Sequence, residues 1–171
     1  IGSGPAARVM QISIEKFTLI GATTRLGLLS RPLRDRFGIP LQLNFYKPVD
    51  LKVIIIKVAE NLKINIEDVA AMELAIRSRG TPRISIRLLK RTIDFSVVSG
   101  SSVINLEIVK KSLQSLKIDH IGLDNMDIKY MTCIARNFEG GPVGVENLSA
   151  ALLEEKDIIE DVVEPFLIQQ G

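Results

Sequence analysis

The sequence FTLIGATTRLGLLSRPLRDRFG, residues 17–38, decides the fold of this 171-residue chain. It begins with the apolar run FTLIGA, whose length and composition are typical of a buried strand in a parallel sheet. Thr23 and Thr24 follow at the predicted carboxyl end of that strand, where α/β proteins place their ligands. A short segment with Arg34 and Arg36 comes next. This order predicts a polar and cationic rim beside a ligand site.

The composition is that of an ordinary globular protein. Hydrophobic residues make up 46% of the chain and charged residues 25%. No apolar run approaches the ~20 residues that a transmembrane helix needs, and the chain shows no secretion leader. The single cysteine, Cys133, excludes an internal disulfide framework and a cysteine-rich zinc site. We therefore expect a cytoplasmic protein with no membrane partner.

The net charge of +2 is unevenly distributed. Residues 1–100 carry 16 Lys and Arg against 8 Asp and Glu, whereas residues 101–171 carry 6 against 12. A basic half with clustered arginines favours a polyanionic partner such as a nucleotide or nucleic acid. Solvated helix faces of opposite sign explain the charges equally well, so the motifs have to decide.

The hydrophobic pattern divides the chain into three parts. Residues 1–46 contain strand candidates, among them Gln11–Ile14 and Leu41–Tyr46. Residues 47–117 predict four helices without strands. Residues 118–171 predict three short helices, a pattern that resembles a helix-turn-helix or winged-helix module.

Helix boundaries are marked by local signals. Asp50 and Asp124 are predicted N-caps, and a helix is predicted over Asn105–Leu116. Gly80-Thr81-Pro82 predicts that one helix ends at the glycine and that the next begins after Thr81 as its N-cap, with the proline in its first turn. Pro165 is predicted to end the last helix.

Four motifs follow one another in the order GATTR (21–25), PLRDRFG (32–38), GTPR (80–83) and GGPVG (140–144). Together they resemble the RuvB family, the AAA+ ATPases that drive branch migration of Holliday junctions. The resemblance implies a mostly α, multi-domain chain. It would consist of the remnant of an AAA+ α/β ATPase core, an α-helical AAA+ lid and an incomplete winged-helix-like head.

The resemblance assigns two residues of the first part to catalysis. Thr24 matches sensor 1, whose hydroxyl binds the attacking water or the γ-phosphate, and Thr23 is the alternative. Arg36 matches the arginine finger, which stabilises charge on the transferring phosphoryl group of a neighbouring subunit. Arg34 is the competing candidate for the finger.

Two further residues are assigned to nucleotide binding. Tyr46 matches a tyrosine that lies against the adenine, where an aromatic ring can stack on a base. Arg83 of the GTPR motif matches sensor 2. Its place in the first turn of a helix adds a cation to an already positive helix N-terminus.

By resemblance, the parent protein is an ATP- and Mg²⁺-dependent DNA motor that acts as a hexameric ring on Holliday junctions, with RuvA and RuvC as partners. The arm Ile1–Met10 corresponds to the hairpin that the family uses toward RuvA. The alternative is a non-catalytic module made of the lid and the helix-turn-helix part.

Two departures from the family pattern bear on these expectations. The chain contains no G-x-x-x-x-G-K-[ST] phosphate loop, so we expect no ATPase activity from the chain alone and assign no metal ligand. The last part is acidic, with Glu154, Glu155, Asp157, Glu160, Asp161 and Glu164, which does not suit phosphate binding. We therefore assign it no DNA-contacting residue.

Overall fold

The computed structural model describes residues 14–171. The expected arm Ile1–Met10, and all of the expected strand Gln11–Ile14 except its last residue, lie outside this part of the chain. The chain divides into two compact units, one ending at Gln42 and the other comprising Leu43–Gly171. Between residues 14 and 171, no helix is both long and apolar enough to cross a membrane.

The described part of the first unit is built around two short helical segments. A 3-10 helix, Leu26–Leu28, is followed by helix α1, Arg31–Arg36. Pro32 lies in the first turn of α1, where its missing N–H leaves no hydrogen bond unmade. The helix ends where the backbone N–H of Phe37 donates to the carbonyl of Arg34 at 3.1 Å.

The buried strand expected at Phe17–Ala22 and the short strand expected at Leu41–Tyr46 are both wrong. Both segments lie outside any strand, and their apolar side chains are exposed, 88% for Ile20 and 93% for Leu43. A strand in a parallel sheet is held by hydrogen bonds to neighbouring strands. The described residues of this region, 14–47, contain no strand with which either segment could pair.

Four helices form the first part of the second unit, as expected. They are α2 (Pro48–Asn61), α3 (Asp68–Ile76), α4 (Pro82–Val98) and α5 (Leu106–Ser115). The expected absence of strands is wrong in detail, because β1 (Asn65–Ile66) pairs in parallel with β2 (Val103–Ile104). Strand β1 lies between α2 and α3 in the chain, and β2 lies between α4 and α5.

Apolar side chains from all four helices form one core. Its fully buried members include Leu51, Ile55, Leu74, Leu89 and Val109. Two buried hydroxyls join α4 to α5 within this core, since the side-chain oxygens of Thr92 and Ser112 lie 2.9 Å apart. One hydroxyl donates to the other, and the accepting hydroxyl donates in turn to a carbonyl of its own helix, that of Leu88 for Thr92 or that of Val109 for Ser112, so neither is unsatisfied.

The predicted helix starts are confirmed in part. The side chain of Asn105 caps α5, and Asp124 caps the following helix. Thr81 occupies the N-cap position of α4, but its hydroxyl donates to the carbonyl of Arg79 at 3.2 Å instead of accepting a helix N–H. Asp50 is not a cap, because Pro48 already begins α2 and places Asp50 within its first turn.

The last part of the chain is helical. It contains helices α6 (Asn125–Asn137), α7 (Val145–Leu152), α8 (Lys156–Ile158) and α9 (Glu164–Gln170). A π-helical turn at Ile159–Val163 joins α8 to α9. Their core contains Tyr130, Cys133, Leu148, Ile159 and Val163. We call residues 118–171 the head and residues 47–117 the lid.

Pro165 does not end the last helix, contrary to expectation. It lies in the first turn of α9, directly after the π-helical turn. A proline ring crowds the carbonyl four residues before it, here that of Asp161. A wider π turn moves that carbonyl away from the ring, so the chain continues as a helix through the proline.

Candidate functional site

Within the first unit, the contact between Gly21 and Phe37 joins the GATTR segment to the end of α1. A Cβ atom at Gly21 would lie 3.3 Å from Cζ of the Phe37 ring, so the ring lies directly on the glycine. This contact fixes the backbone two residues before Thr23 relative to the residue after Arg36. The two expected catalytic segments are therefore neighbours within this unit.

Thr23 and Thr24 are both exposed, but their hydroxyls differ in what they bind. The side-chain oxygen of Thr23 accepts the backbone N–H of Arg25 at 3.0 Å, a local turn that uses this hydroxyl for structure. Thr24 makes no side-chain hydrogen bond to any residue from 14 to 171. Its hydroxyl faces solvent and can bind a ligand.

Arg34 and Arg36 both lie on α1 and are both exposed. Within the described part of the chain, neither guanidinium forms an ion pair. Arg36 is the last residue of the helix, next to the Phe37 ring that contacts Gly21. An exposed, permanently charged, planar group at this position can form a bidentate contact with phosphate oxygens.

In the second unit, the expected nucleotide-binding residues Tyr46 and Arg83 belong to one small substructure. The backbone N–H of Tyr46 donates to the carbonyl of Gly80 at 2.8 Å. Arg83 follows three residues later in the first turn of α4, with its side chain exposed. The Tyr46 side chain is 49% exposed, so its ring is open to a ligand.

Gly80 is required for this arrangement. Its φ of +65° lies in the left-handed region, and a Cβ atom there would lie 2.7 Å from Cβ of Phe45 and 3.2 Å from the carbonyl oxygen of Tyr46. Only glycine allows the two backbone segments to approach this closely. The motif GTPR therefore has a structural role at its glycine and presents a cation at its arginine.

The structure brings forward a residue that sequence reasoning missed, Arg79. Its guanidinium contacts the head through the carbonyl of Gly122, at 2.8 Å from Nε, and through the carboxylates of Asp124 and Asp127. It also lies over the ring of Phe166, 4.5 Å from the ring centroid. The sequence gives one signal for these contacts, the capping pattern Asp124-x-x-Asp127. A carboxylate that accepts a backbone N–H in such a pattern can also bind a cation, as Asp127 binds Arg79.

Two residues of the head, Asp127 and Tyr130, have raised pKa values. Burial raises the pKa of Asp127, and the N–H of Asp124 and the charge of Arg79 oppose that rise. Burial, together with the hydrogen bond from its hydroxyl to Glu164 at 2.9 Å, raises the pKa of Tyr130 to about 12. Among residues 14–171, no cluster of His, Cys, Asp and Glu has the arrangement of a metal site. The acidic surface at residues 154–164 offers no cationic patch for a nucleic-acid backbone.

Three family models match consecutive parts of the chain. Residues 1–43 match the P-loop domain of the Holliday junction DNA helicase RuvB. Residues 46–119 match the RuvB AAA lid domain, and residues 120–171 match the RuvB C-terminal winged helix domain. The matches follow one another in chain order and leave only residues 44 and 45 uncovered.

Individual relatives agree with the family models. The chain is 53% identical to the Holliday junction branch migration complex subunit RuvB of Paramagnetospirillum magneticum over all 171 residues, which is 49% of that protein. It is also similar to the solved structure of the Thermotoga maritima RuvB Holliday junction branch migration motor, with a TM-score of 0.87 and 51% identity. That likeness covers 92% of this chain and 53% of the other. The chain thus spans about half the length of the relatives that it matches.

Proposed function

Because this chain belongs to the RuvB family, we propose that it contributes to an ATP-driven motor for Holliday junction branch migration in DNA recombination and repair. Its parts would be a portion of the AAA+ core at residues 1–46, a lid at 47–117 and a head at 118–171. We propose a cytoplasmic homo-oligomeric ring, with six subunits as in the family resemblance. Its partners would be duplex DNA at the junction, RuvA and RuvC.

The observation that carries this proposal is the bond from Tyr46 to Gly80. It holds an accessible aromatic ring beside the turn that presents Arg83 at a helix N-terminus. An aromatic face suits a base, and a cation at a helix N-terminus suits phosphate. We therefore assign Tyr46 to the adenine of ATP and Arg83 to sensing of the γ-phosphate.

We assign Arg36 to catalysis in trans and Thr24 to the attacking water or the γ-phosphate. Arg36 supports the first role because its exposed guanidinium forms no ion pair with residues 14–171, and Thr24 supports the second because its hydroxyl bonds none of these residues. An arginine finger supplied in trans increases turnover by roughly 10³- to 10⁵-fold. The described residues include no cluster suited to Mg²⁺, so we assign the metal of MgATP no ligand in this part of the chain.

The test is ATP turnover in a mixture. The chain is combined with a full-length motor of this family whose own finger arginine has been replaced, in the presence of junction DNA. We expect turnover to recover with the unmodified chain and to be lost with Arg36→Lys, which keeps the charge but not the planar fork. Arg34→Lys on the same short helix is the matched control and should retain turnover.

The outcomes separate the competing assignments. Loss with Arg34→Lys and retention with Arg36→Lys would move the finger to Arg34. Absence of recovery, despite co-sedimentation of the two proteins, would contradict the role in trans. Absence of both recovery and association would leave the alternative function, an interaction module made of lid and head.

A matched pair of threonine variants tests sensor 1 in the same mixture. Thr24→Val removes a hydroxyl with no partner in the described chain and should lower turnover. Thr23→Val removes only the acceptor of the Arg25 N–H and should leave turnover nearly unchanged. The reverse pattern would assign the role to Thr23.

A further inference from the structure

Arg79 lies in a turn with a left-handed backbone. Its φ is +52°, and that of the next residue, Gly80, is +65°, so two consecutive residues are left-handed in the turn between α3 and α4. Residues other than glycine adopt this conformation at a steric cost, because Cβ crowds the backbone. A glycine would be the easier residue at this position, so the contacts of the arginine side chain are the reason to look for a role.

The head surrounds the Arg79 side chain, which is only 11% exposed. Its Nη2 lies 3.0 Å from a carboxylate oxygen of Asp124 and bonds Asp127, whose side chain is 1% exposed. Its Nε donates to the carbonyl of Gly122 at 2.8 Å. Every partner of this guanidinium therefore belongs to the head, although Arg79 belongs to the lid.

The same turn holds the candidate nucleotide site. The residue after Arg79 is Gly80, whose carbonyl accepts the N–H of Tyr46. The carbonyl of Arg79 itself accepts the hydroxyl of Thr81, the residue that precedes α4 and its Arg83. The residue that contacts the head, Arg79, is therefore the direct neighbour of the residue that bonds Tyr46, Gly80.

A second contact limits independent movement of the head. A Cβ atom at Gly122 would lie 3.0 Å from the carbonyl oxygen of Arg77, and the Arg77 side chain donates to the carbonyl of Asp119. The turn from Arg77 to Gly80 is therefore in contact with the head on both sides of Ser78, which is itself fully buried.

We propose that Arg79 is a positioning residue through which the head controls the placement of Tyr46 and Arg83. A head that keeps the Asp127 contact would hold the Arg79–Gly80 turn in its left-handed form. A head that moves away would release the turn, and with it the Gly80 carbonyl and the start of α4. The functional meaning of this coupling rests on the proposed nucleotide site, but the coupling itself is measurable without nucleotide.

The test is residue-resolved amide hydrogen exchange on the whole 171-residue chain. Asp127→Asn changes a head residue that touches neither Tyr46 nor Arg83. We expect the Tyr46 amide to exchange roughly fivefold faster, the change that loss of about one net hydrogen bond produces. Amides in the middle of α5 report global opening and should keep their rates.

The matched control is Asp94→Asn. Asp94 bonds Arg91 at 3.1 Å on the surface of α4, with both side chains about two-thirds exposed, so the same chemical change is made without contact to the head. The Tyr46 amide should keep its rate in this variant. Arg79→Gly provides the complementary arm, since it removes the side chain but accommodates the left-handed backbone, and it should accelerate the Tyr46 amide as Asp127→Asn does.

If Asp127→Asn unfolds the head, Phe166→Leu replaces it as the perturbation, because it keeps an apolar side chain while removing the ring under Arg79. An unchanged Tyr46 rate in a folded Asp127→Asn or Phe166→Leu variant overturns the proposal. Equal acceleration of the α5 amides overturns it as well, since the effect would then be global. A chain that shows the coupling but restores no turnover in the mixture described above would contradict the proposed function and leave the coupling intact.

Discussion

Replacing Gly80 by alanine separates backbone strain from crowding at the candidate site. The chain offers a matched control in Gly100, because the φ angles of the two glycines are +65° and +67°. A Cβ atom at Gly100 would meet no heavy atom within 4 Å, whereas one at Gly80 would lie 2.7 Å from Cβ of Phe45. Both substitutions therefore place a side chain on a left-handed backbone, but only Gly80→Ala also creates a steric clash.

The shared effect is the left-handed backbone, which costs a residue with a side chain about 1–2 kcal/mol. Alanine recovers about 0.4–1 kcal/mol of this by restricting the unfolded chain. We therefore expect Gly100→Ala to lower the free energy of unfolding by about 0–1.6 kcal/mol.

The additional effect at Gly80 comes from the contact with Phe45. Both Cβ atoms are bound directly to backbone, so no side-chain rotation relieves a 2.7 Å approach and the backbone has to move. That movement breaks the 2.8 Å bond from Tyr46 to Gly80, which contributes about 0.5–1.5 kcal/mol. With the cost of overpacking, Gly80→Ala should exceed Gly100→Ala by about 1–3 kcal/mol.

Urea unfolding followed by far-ultraviolet circular dichroism measures both free energies. Amide exchange at Tyr46 should rise in Gly80→Ala and stay unchanged in Gly100→Ala. Equal free energies for the two variants, together with a protected Tyr46 amide in both, would refute the close approach of Gly80 to residues 45 and 46.

Two other predictions concern buried hydroxyls. The pKa of Tyr130 is raised from 10.0 to about 12, so the neutral phenol stabilises the fold below pH 10, and this contribution of about 3 kcal/mol is lost as the pH rises through 12. Tyr130→Phe should remove that part of the pH dependence in urea unfolding between pH 10 and 12, and an unchanged slope would contradict the burial of the phenol. Thr92→Val should cost about 0.5–1.5 kcal/mol and couple to Ser112→Ala in a double-mutant cycle, whereas Ser99→Ala, which removes an exposed hydroxyl from the end of the same helix, should cost almost nothing. Strict additivity of the Thr92 and Ser112 changes would argue against their bond.

Local signals account for the parts of the fold that were predictable. Asn105 and Asp124 cap helices because a short polar side chain can reach an N–H two or three residues ahead, whatever the rest of the chain does. The start of α4 at Pro82 follows from the fixed φ of proline and the left-handed φ of Gly80 in the same way. The order of the motifs was likewise enough to indicate the family.

Local sequence did not predict those elements whose structure depends on residues elsewhere in the chain. The apolar run Phe17–Ala22 has the composition of a buried strand, but a strand forms only beside another strand, and residues 14–47 contain none. Pro165 stops an α-helix only when the preceding turn cannot widen, and here the π turn at Ile159–Val163 takes up the strain.

The sequence by itself determined which residues are candidates for chemistry: Arg36 or Arg34, Thr24 or Thr23, Tyr46 and Arg83. Their identity and their nearest neighbours are set by covalent order and short-range hydrogen bonds. Only the tertiary structure decided that Tyr46 bonds Gly80, and that Arg79 meets Asp127, a residue 48 positions further along the chain. Such contacts depend on how packed helices bring distant backbone together, and no local pattern of residues encodes that distance.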